Sequence, residues 1–233
     1  MPSRKNQKDL TTREWDSLIT AMQAMKKSKA RHNWDFFTET HRKYAKHDKN
    51  THDLPHHDGD DLHIHSPIYW LPWHRKFIRE FESELQKFDA AVTLPYWDWT
   101  TDHVIPARLQ AKFLGWMKVL RGLSHQPDKL PTADAPQSSV MDKSDFPNFD
   151  FGLANLHNQV HEWIGGAMGN PNRSPADPLF FLHHAFIDKV WVDWQATHPD
   201  KPVPAEYLDF TLPPWNCTVR DVLDIAGLDY DYR

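Results

Sequence analysis

Ser174 to Trp191 reads SPADPLFFLHHAFIDKVW. Asp177 suits a helix N-cap. Pro178 suits the first helical position, where a missing N–H costs nothing because the first turn leaves it unpaired anyway. The pattern predicts a helix from there to about His198. At about 100° per residue, Phe180, Phe181, Ile187 and Trp191 surround His184, while His183 points roughly a quarter-turn away. An imidazole in the middle of an apolar face must find a partner, because buried polar groups are seldom left unbonded.

The same arithmetic, carried outward, finds more histidines of this kind. Thr11-Thr-Arg-Glu14 is a capping box and opens a helix to about Lys27. In a second helix over Asn33–Lys46, Trp34, Phe37, Tyr44 and Ala45 form one stripe with His41 in its middle, and His47 faces outward. Pro72 opens a helix to Phe88, whose buried stripe of Phe77, Ile78, Phe81, Leu85 and Phe88 includes His74. In a helix over Leu153–Ile164, ended by Gly165-Gly166, His157 and His161 stand four apart and share a face with Leu153, Val160 and Ile164. Further helices are expected near Pro106–Arg121 and near Thr218–Ile225, the latter closed by Gly227. LPYWDWTTD (94–102) is aromatic and turn-rich, and Ser124–Asp150 reads as a long surface excursion. Strand signals are weak. The expected fold is mainly α: a helical bundle with long irregular loops and little β.

The chain has 233 residues, which suits one domain spanning 1–233. A net charge of −5 and a pI near 6.3 give no basic field for nucleic acid. The single cysteine, Cys217, can form neither an internal disulfide nor a thiolate metal site alone. No apolar run is long enough to span a membrane. The start, MPSRKNQKDLTTREW, lacks the apolar region of a secretory signal, so a cytoplasmic location is expected, with partner-assisted export left open.

Five histidines on the apolar stripes of four helices make a costly core unless they share a purpose, and a metal site between the helices supplies one. No Glu-x-x-His occurs, which removes the di-iron bundle signature. His161-Glu162 is not followed by the second histidine of a zinc protease. All-imidazole coordination suits copper, with zinc as competitor. Five or more ligands exceed one tetrahedral site, so a pair of ions is expected.

HSPIYWLPWHRKFIREFE (65–82), LPYWDWT (94–100), LHNQVHEWIGG (156–166) and SPADPLFFLHHAFIDKVW (174–191) closely resemble the tyrosinases. These are type-3 copper proteins, a superfamily shared with catechol oxidases and haemocyanins. WDFFTETH (34–41) resembles the helix of the first ligand. Arg4-Lys5-Asn6 and Tyr230-Asp-Tyr232 resemble an N-terminal arginine and a C-terminal Tyr-x-Tyr closure. The resemblance implies a four-helix bundle housing a dinuclear copper site, in a single catalytic domain without a C-terminal lid domain. It assigns one copper to His41, His65 and His74 and the other to His157, His161 and His184, with O2 bound between them as peroxide. The implied activity is oxidation of o-diphenols to o-quinones, with hydroxylation of monophenols in true tyrosinases. An o-aminophenol oxidase and a non-catalytic, haemocyanin-like O2 binder are the alternatives. Small phenols are the expected partners, and a copper-delivery partner is left open.

Other residues follow from the same resemblance. Asn158 matches the asparagine that helps orient a water against the phenol. The glutamate that shares this task is missing from SDFPNFDFGLAN (144–155), where Asn148, Phe149 or Asp150 stands instead; this weakens the case for monophenol hydroxylation unless an aspartate takes its place. Asp188, one turn after His184, is placed to accept an N–H of a ligand imidazole and fix its tautomer. Phe180 matches a ring packed over the site, and His183 a non-ligand beside it. Arg75 and Glu162, following ligands, are expected at the rim. Within HDLPHHDGDDLHIH (52–65), His65 is the expected ligand and His63 its local competitor, while His52, His56 and His57 fall on an acidic loop.

Overall fold

In a computed structural model, residues 3–45, 68–117, 119–122, 125–136 and 140–233 are described. Five long helices carry the fold: α1 (Thr12–Lys27), α2 (Trp34–Ala45), α3 (Trp70–Gln86), α5 (Phe146–Ile164) and α6 (Leu179–Thr197), with a single turn, α4 (Asp134–Pro136), between α3 and α5. Two short strands, β1 (Ser3–Arg4) and β2 (Asp231–Tyr232), pair in parallel and bring the two ends of the chain together.

The expected capping box forms. Thr11 Oγ1 accepts from the Glu14 N–H at 3.2 Å, and a Glu14 carboxylate oxygen accepts from the Thr11 N–H at 2.8 Å. From there Trp15, Leu18, Met22 and Met25 repeat at helical spacing, and all are buried. This stripe lays α1 against α2 and α3. In α3, Phe77, Ile78, Phe81 and Leu85 form the buried face as expected. Phe88 does not join them: it follows the helix end and is 46% exposed. The helix also begins at Trp70 rather than Pro72. A proline anywhere in the first turn is tolerated, because those N–H groups have no helical acceptor.

α6 is buried nearly all round, from Leu179 through Asp188. It therefore sits at the centre of the bundle, with α3 on one side and α5 on another. Stacking of Phe77 on Phe181, with ring centroids 6.1 Å apart, joins α3 to α6. Trp34 of α2 reaches the same layer and donates its indole N–H to the Pro175 carbonyl at 3.0 Å.

Three expectations fail. Among its described residues, the stretch 106–121 forms only two single 3-10 turns, Ala107–Leu109 and Ala111–Phe113. Its helix propensity yields to tertiary bonds: Ala167 N–H donates to the Leu120 carbonyl and Gly122 N–H to the Ile164 carbonyl, both at 2.8 Å. Residues 119–122 accordingly lie outside any helix. Residues 146–150 belong to α5 rather than to a surface excursion. Asp145 caps the helix by accepting the Asn148 N–H at 2.9 Å, with Pro147 in the first turn. Near the C-terminus the expected helix is two 3-10 turns, Arg220–Val222 and Ala226–Leu228, with Gly227 inside the second.

Candidate metal centre

Four helices aim imidazoles into one region between them. His41, His74, His157 and His184 are each no more than 3% exposed, and His161 is half-buried. They form two groups. In one, His74 Nε2 lies 3.3 Å from His41 Nε2. In the other, His184 Nε2 lies 3.2 Å from His157 Nε2 and 3.3 Å from His161 Nε2. The groups meet where the His74 and His184 rings stack, with centroids 4.4 Å apart and planes at 12°. His65, with His47, His52, His56, His57 and His63, lies outside the described residues.

Hydrogen bonds at the far side of each ring decide which nitrogen is bare. His74 Nδ1 faces the Trp70 carbonyl at 2.8 Å, and His161 Nδ1 faces the Met168 carbonyl at 2.8 Å. His157 Nδ1 faces the Asn158 side-chain oxygen at 3.0 Å. Each partner can only accept, so Nδ1 carries the proton and Nε2 keeps its lone pair. Burial also disfavours the charged ring. Desolvation pulls His74 down to about 3 and His161 to about 4, and it lowers His184 well below the ordinary histidine range. Those three rings are therefore neutral, as metal ligation requires.

This arrangement fits a cation. The lone pairs of His157 and His161 both point at His184 Nε2. One proton on that nitrogen could satisfy one of them and would leave the other facing a filled orbital. Nitrogens 3.2 to 3.3 Å apart have the spacing of imidazoles that share one ion at about 2.0–2.1 Å.

His183 belongs to the same cluster by proximity: one ligand atom each from His157, His161, His183 and His184 lie within 4.8 Å of one another. Its chemistry differs. Trp99 Nε1 donates to His183 Nδ1 at 3.0 Å. An indole N–H can only donate, so that nitrogen spends its lone pair there and the proton sits on Nε2. His183 presents no bare nitrogen, in line with the non-ligand expectation. Trp99 was not singled out from the sequence, although LPYWDWT carries it.

The remaining expected site residues sort as follows. The Phe180 ring lies 4.1 Å from His184 and 5.2 Å from His41, between centroids, and so touches both groups. Asn158 is exposed and holds His157 as described. Asp188 does not meet His184, whose Nδ1 has no partner among the described residues. Both carboxylate oxygens are drawn elsewhere: Oδ1 to Arg75 Nε at 2.5 Å, Oδ2 to the Tyr230 and Tyr232 hydroxyls at 2.6 Å each. Burial opposes its charge, but Arg75 and Arg4 outweigh burial and hold the carboxyl below its ordinary range. Arg75 is likewise no rim residue, being 1% exposed; Glu162 is exposed as expected. Asp150 is buried and accepts the Ile68 N–H at 2.8 Å. Ile68 has a φ of 72°, a conformation that β-branched residues rarely adopt.

The helical frame and its facing histidine groups are those of a type-3 dicopper protein. A family model described as the common central domain of tyrosinase matches residues 31–138 and 125–197. The tyrosinases of Streptomyces antibioticus and Streptomyces lincolnensis are 33% and 36% identical to this chain, over 96% and 97% of both sequences. A functional unit of octopus haemocyanin superposes with a TM-score of 0.81 at 22% identity, covering 100% of this chain and 68% of that one. Latent apple tyrosinase superposes at 0.79 with 23% identity, covering 100% and 62%. The chain belongs to the tyrosinase family. It is a tyrosinase-like oxidoreductase of the type-3 copper fold, and the family's cofactor is a pair of copper ions with O2 as co-substrate. No described helix is long and apolar enough to cross a membrane.

Proposed function

We propose that this protein oxidises o-diphenols to o-quinones with O2 and handles monophenols less well. The observation that carries the reading is the convergence of the bare His157 and His161 nitrogens on His184 Nε2, at 3.2 and 3.3 Å. His157, His161 and His184 would hold one copper; His41 and His74, with His65, would hold the other. When bound, two coppers that each cycle between Cu(I) and Cu(II) would pass electrons in pairs, so that two catechols supply the four electrons and four protons that turn one O2 into two waters.

The protein's own part is to hold and to exclude. The Trp70 and Met168 carbonyls and the Asn158 amide fix three ring tautomers, so the nitrogens facing the metals stay unprotonated. Phe180 keeps the space between the two histidine groups apolar and dry. Removal of the phenol proton is where monophenols suffer. Two carboxylates stand in the stretch before His157. Asp145 is spent on the α5 cap, and Asp150 gives one oxygen to the Ile68 N–H and buries the other. Asp150 also lies about 12 Å of helix rise away from Asn158. Neither is placed to orient a water beside Asn158, whose side-chain oxygen is engaged by His157.

The fold likeness to haemocyanin favours a second reading, reversible O2 binding without turnover. The tyrosinase-named relatives, more similar in sequence, favour the enzyme. Oxygen uptake by copper-loaded protein with tyrosine, a catechol and an o-aminophenol, side by side, separates these readings. Fast uptake with catechol and slow uptake with tyrosine is expected. Reversible O2 binding with no catechol consumed would establish the carrier, and faster turnover of the aminophenol would reassign the substrate.

A further inference from the structure

We infer that the buried Arg75–Asp188 ion pair is the strut that sets the separation of the two copper positions; this rests on the dicopper reading above. Arg75 directly follows His74 on α3, and Asp188 stands one turn after His184 on α6. The two histidines belong to different metal groups, and their rings stack 4.4 Å apart. Arg75 Nε donates to Asp188 Oδ1 at 2.5 Å, and neither side chain is more than 3% exposed.

Both partners are immobilised from behind. Arg75 Nη1 donates to the Val222 and Leu223 carbonyls at 3.1 and 2.9 Å, and Nη2 to Gln195 Oε1 at 3.2 Å. Its guanidinium lies 3.6 Å from the Trp191 ring centroid. Asp188 Oδ2 is held by two tyrosine hydroxyls and by Arg4 Nη1 at 3.2 Å. Arg4 in turn pairs with Glu82 at 2.8 Å, and Arg79 approaches Glu82 at 3.9 Å, so each buried charge of the network faces an opposite one. Neither member of the strut can turn away without baring a buried charge. Apolar contacts between α3 and α6 tolerate a small slide, because dispersion has little direction. A charged hydrogen bond does not. The pair therefore fixes the register of α3 on α6, and with it His74 against His184. Arg75 and Asp188 are positioning residues.

A purely structural role predicts only lost stability, so the test reads the coupling of the metals. Two adjacent Cu(II) ions pair their spins and give no electron paramagnetic resonance signal. In copper-loaded full-length Asp188→Asn, which keeps the side-chain volume, two coppers per chain remain and the signal of unpaired Cu(II) appears. Its kcat falls roughly 10- to 100-fold, the range for removing a group that orients a metal ligand. KM stays within about twofold, because the lost interaction is not one with bound substrate. Arg75→Lys moves the same way. Gln195→Leu loosens one anchor of Arg75, leaves the ion pair in place and gives a weaker signal; it decides the matter if the other two do not fold. Leu18→Ala opens a cavity in the buried stripe of α1, away from the pair, lowers the melting temperature and stays silent. The proposal is overturned if the folded two-copper variants are silent with unchanged kcat, or if Leu18→Ala shows the same signal. A wild-type protein that fails to load two coppers, or is itself not silent, would count against the dicopper reading instead.

Discussion

His157 Nε2 on α5 and His184 Nε2 on α6 lie 3.2 Å apart, with the far nitrogen of His157 already committed to the Asn158 side chain at 3.0 Å. Two central helices thus meet through ring nitrogens, and one proton on His184 Nε2 cannot serve both His157 and His161. His161 repeats the relationship from one turn further along α5. The energetics of the bundle and the chemistry of the site are joined at these atoms, which is why substitutions around them report on both.

His183 sits as close to this cluster as the ligands do, and its bond from Trp99 separates it from them. His183→Gln is expected to retain two coppers per chain by elemental analysis, whereas loss of one ion would make it a ligand. Trp99→Phe leaves a buried ring nitrogen without its donor and should cost about 1–3 kcal/mol of stability. A chemical-denaturation midpoint equal to that of the parent would contradict the assigned bond.

Gly166 holds the turn whose far end supplies the Met168 carbonyl to His161. Its φ is +58°, and a Cβ there would meet the Leu120 carbonyl oxygen at 2.0 Å. Gly166→Ala must push 120–122 off the end of α5, break the Ala167 N–H bond to Leu120 and tilt the His161 support. Copper affinity is expected to fall roughly 10- to 100-fold, measured by competition with a chelator of known affinity. Parent-like affinity would show that the turn does not set the His161 ring.

Asp150 gives the pH dependence a sign. Burial raises its carboxyl to about 7, from an ordinary value near 4. Between those values the folded protein keeps a proton that the unfolded chain has released. Its contribution to stability is full below about pH 4, is lost as the pH rises through about 7, and changes no further above that. In Asp150→Asn the fall in unfolding free energy from about pH 5 to about pH 7.5 should be smaller than in the parent, because the titrating group is gone. An identical fall in both proteins would mean that Asp150 is not a buried acid.

The sequence made the buried faces legible wherever helical spacing and a strong cap coincided. Thr11–Glu14, the α3 stripe and the setting of His184 in α6 all came from local rules, and all five histidines then converged. What it hid was decided by distant partners. Asp188 looked like a support for His184 because it shares a helical face, but two arginines and two tyrosines from elsewhere outbid the imidazole. The 106–121 stretch has the residues of a helix, yet its backbone pairs with the end of α5 instead. Asp145 with Pro147 was a legible start signal for α5; the surrounding serines and aspartates masked it. The bond from Trp99 that excludes His183 crosses 84 positions, and no periodicity exposes such a contact.

The central claim is that two copper ions held by these histidines oxidise catechols. The most direct measurement follows catechol-dependent O2 consumption while copper is added to metal-free protein, in the parent and in His157→Ala/His161→Ala. The account predicts activity that saturates at two copper ions per parent chain and none in the double variant. Saturation at one ion, or turnover retained in the double variant, would contradict it.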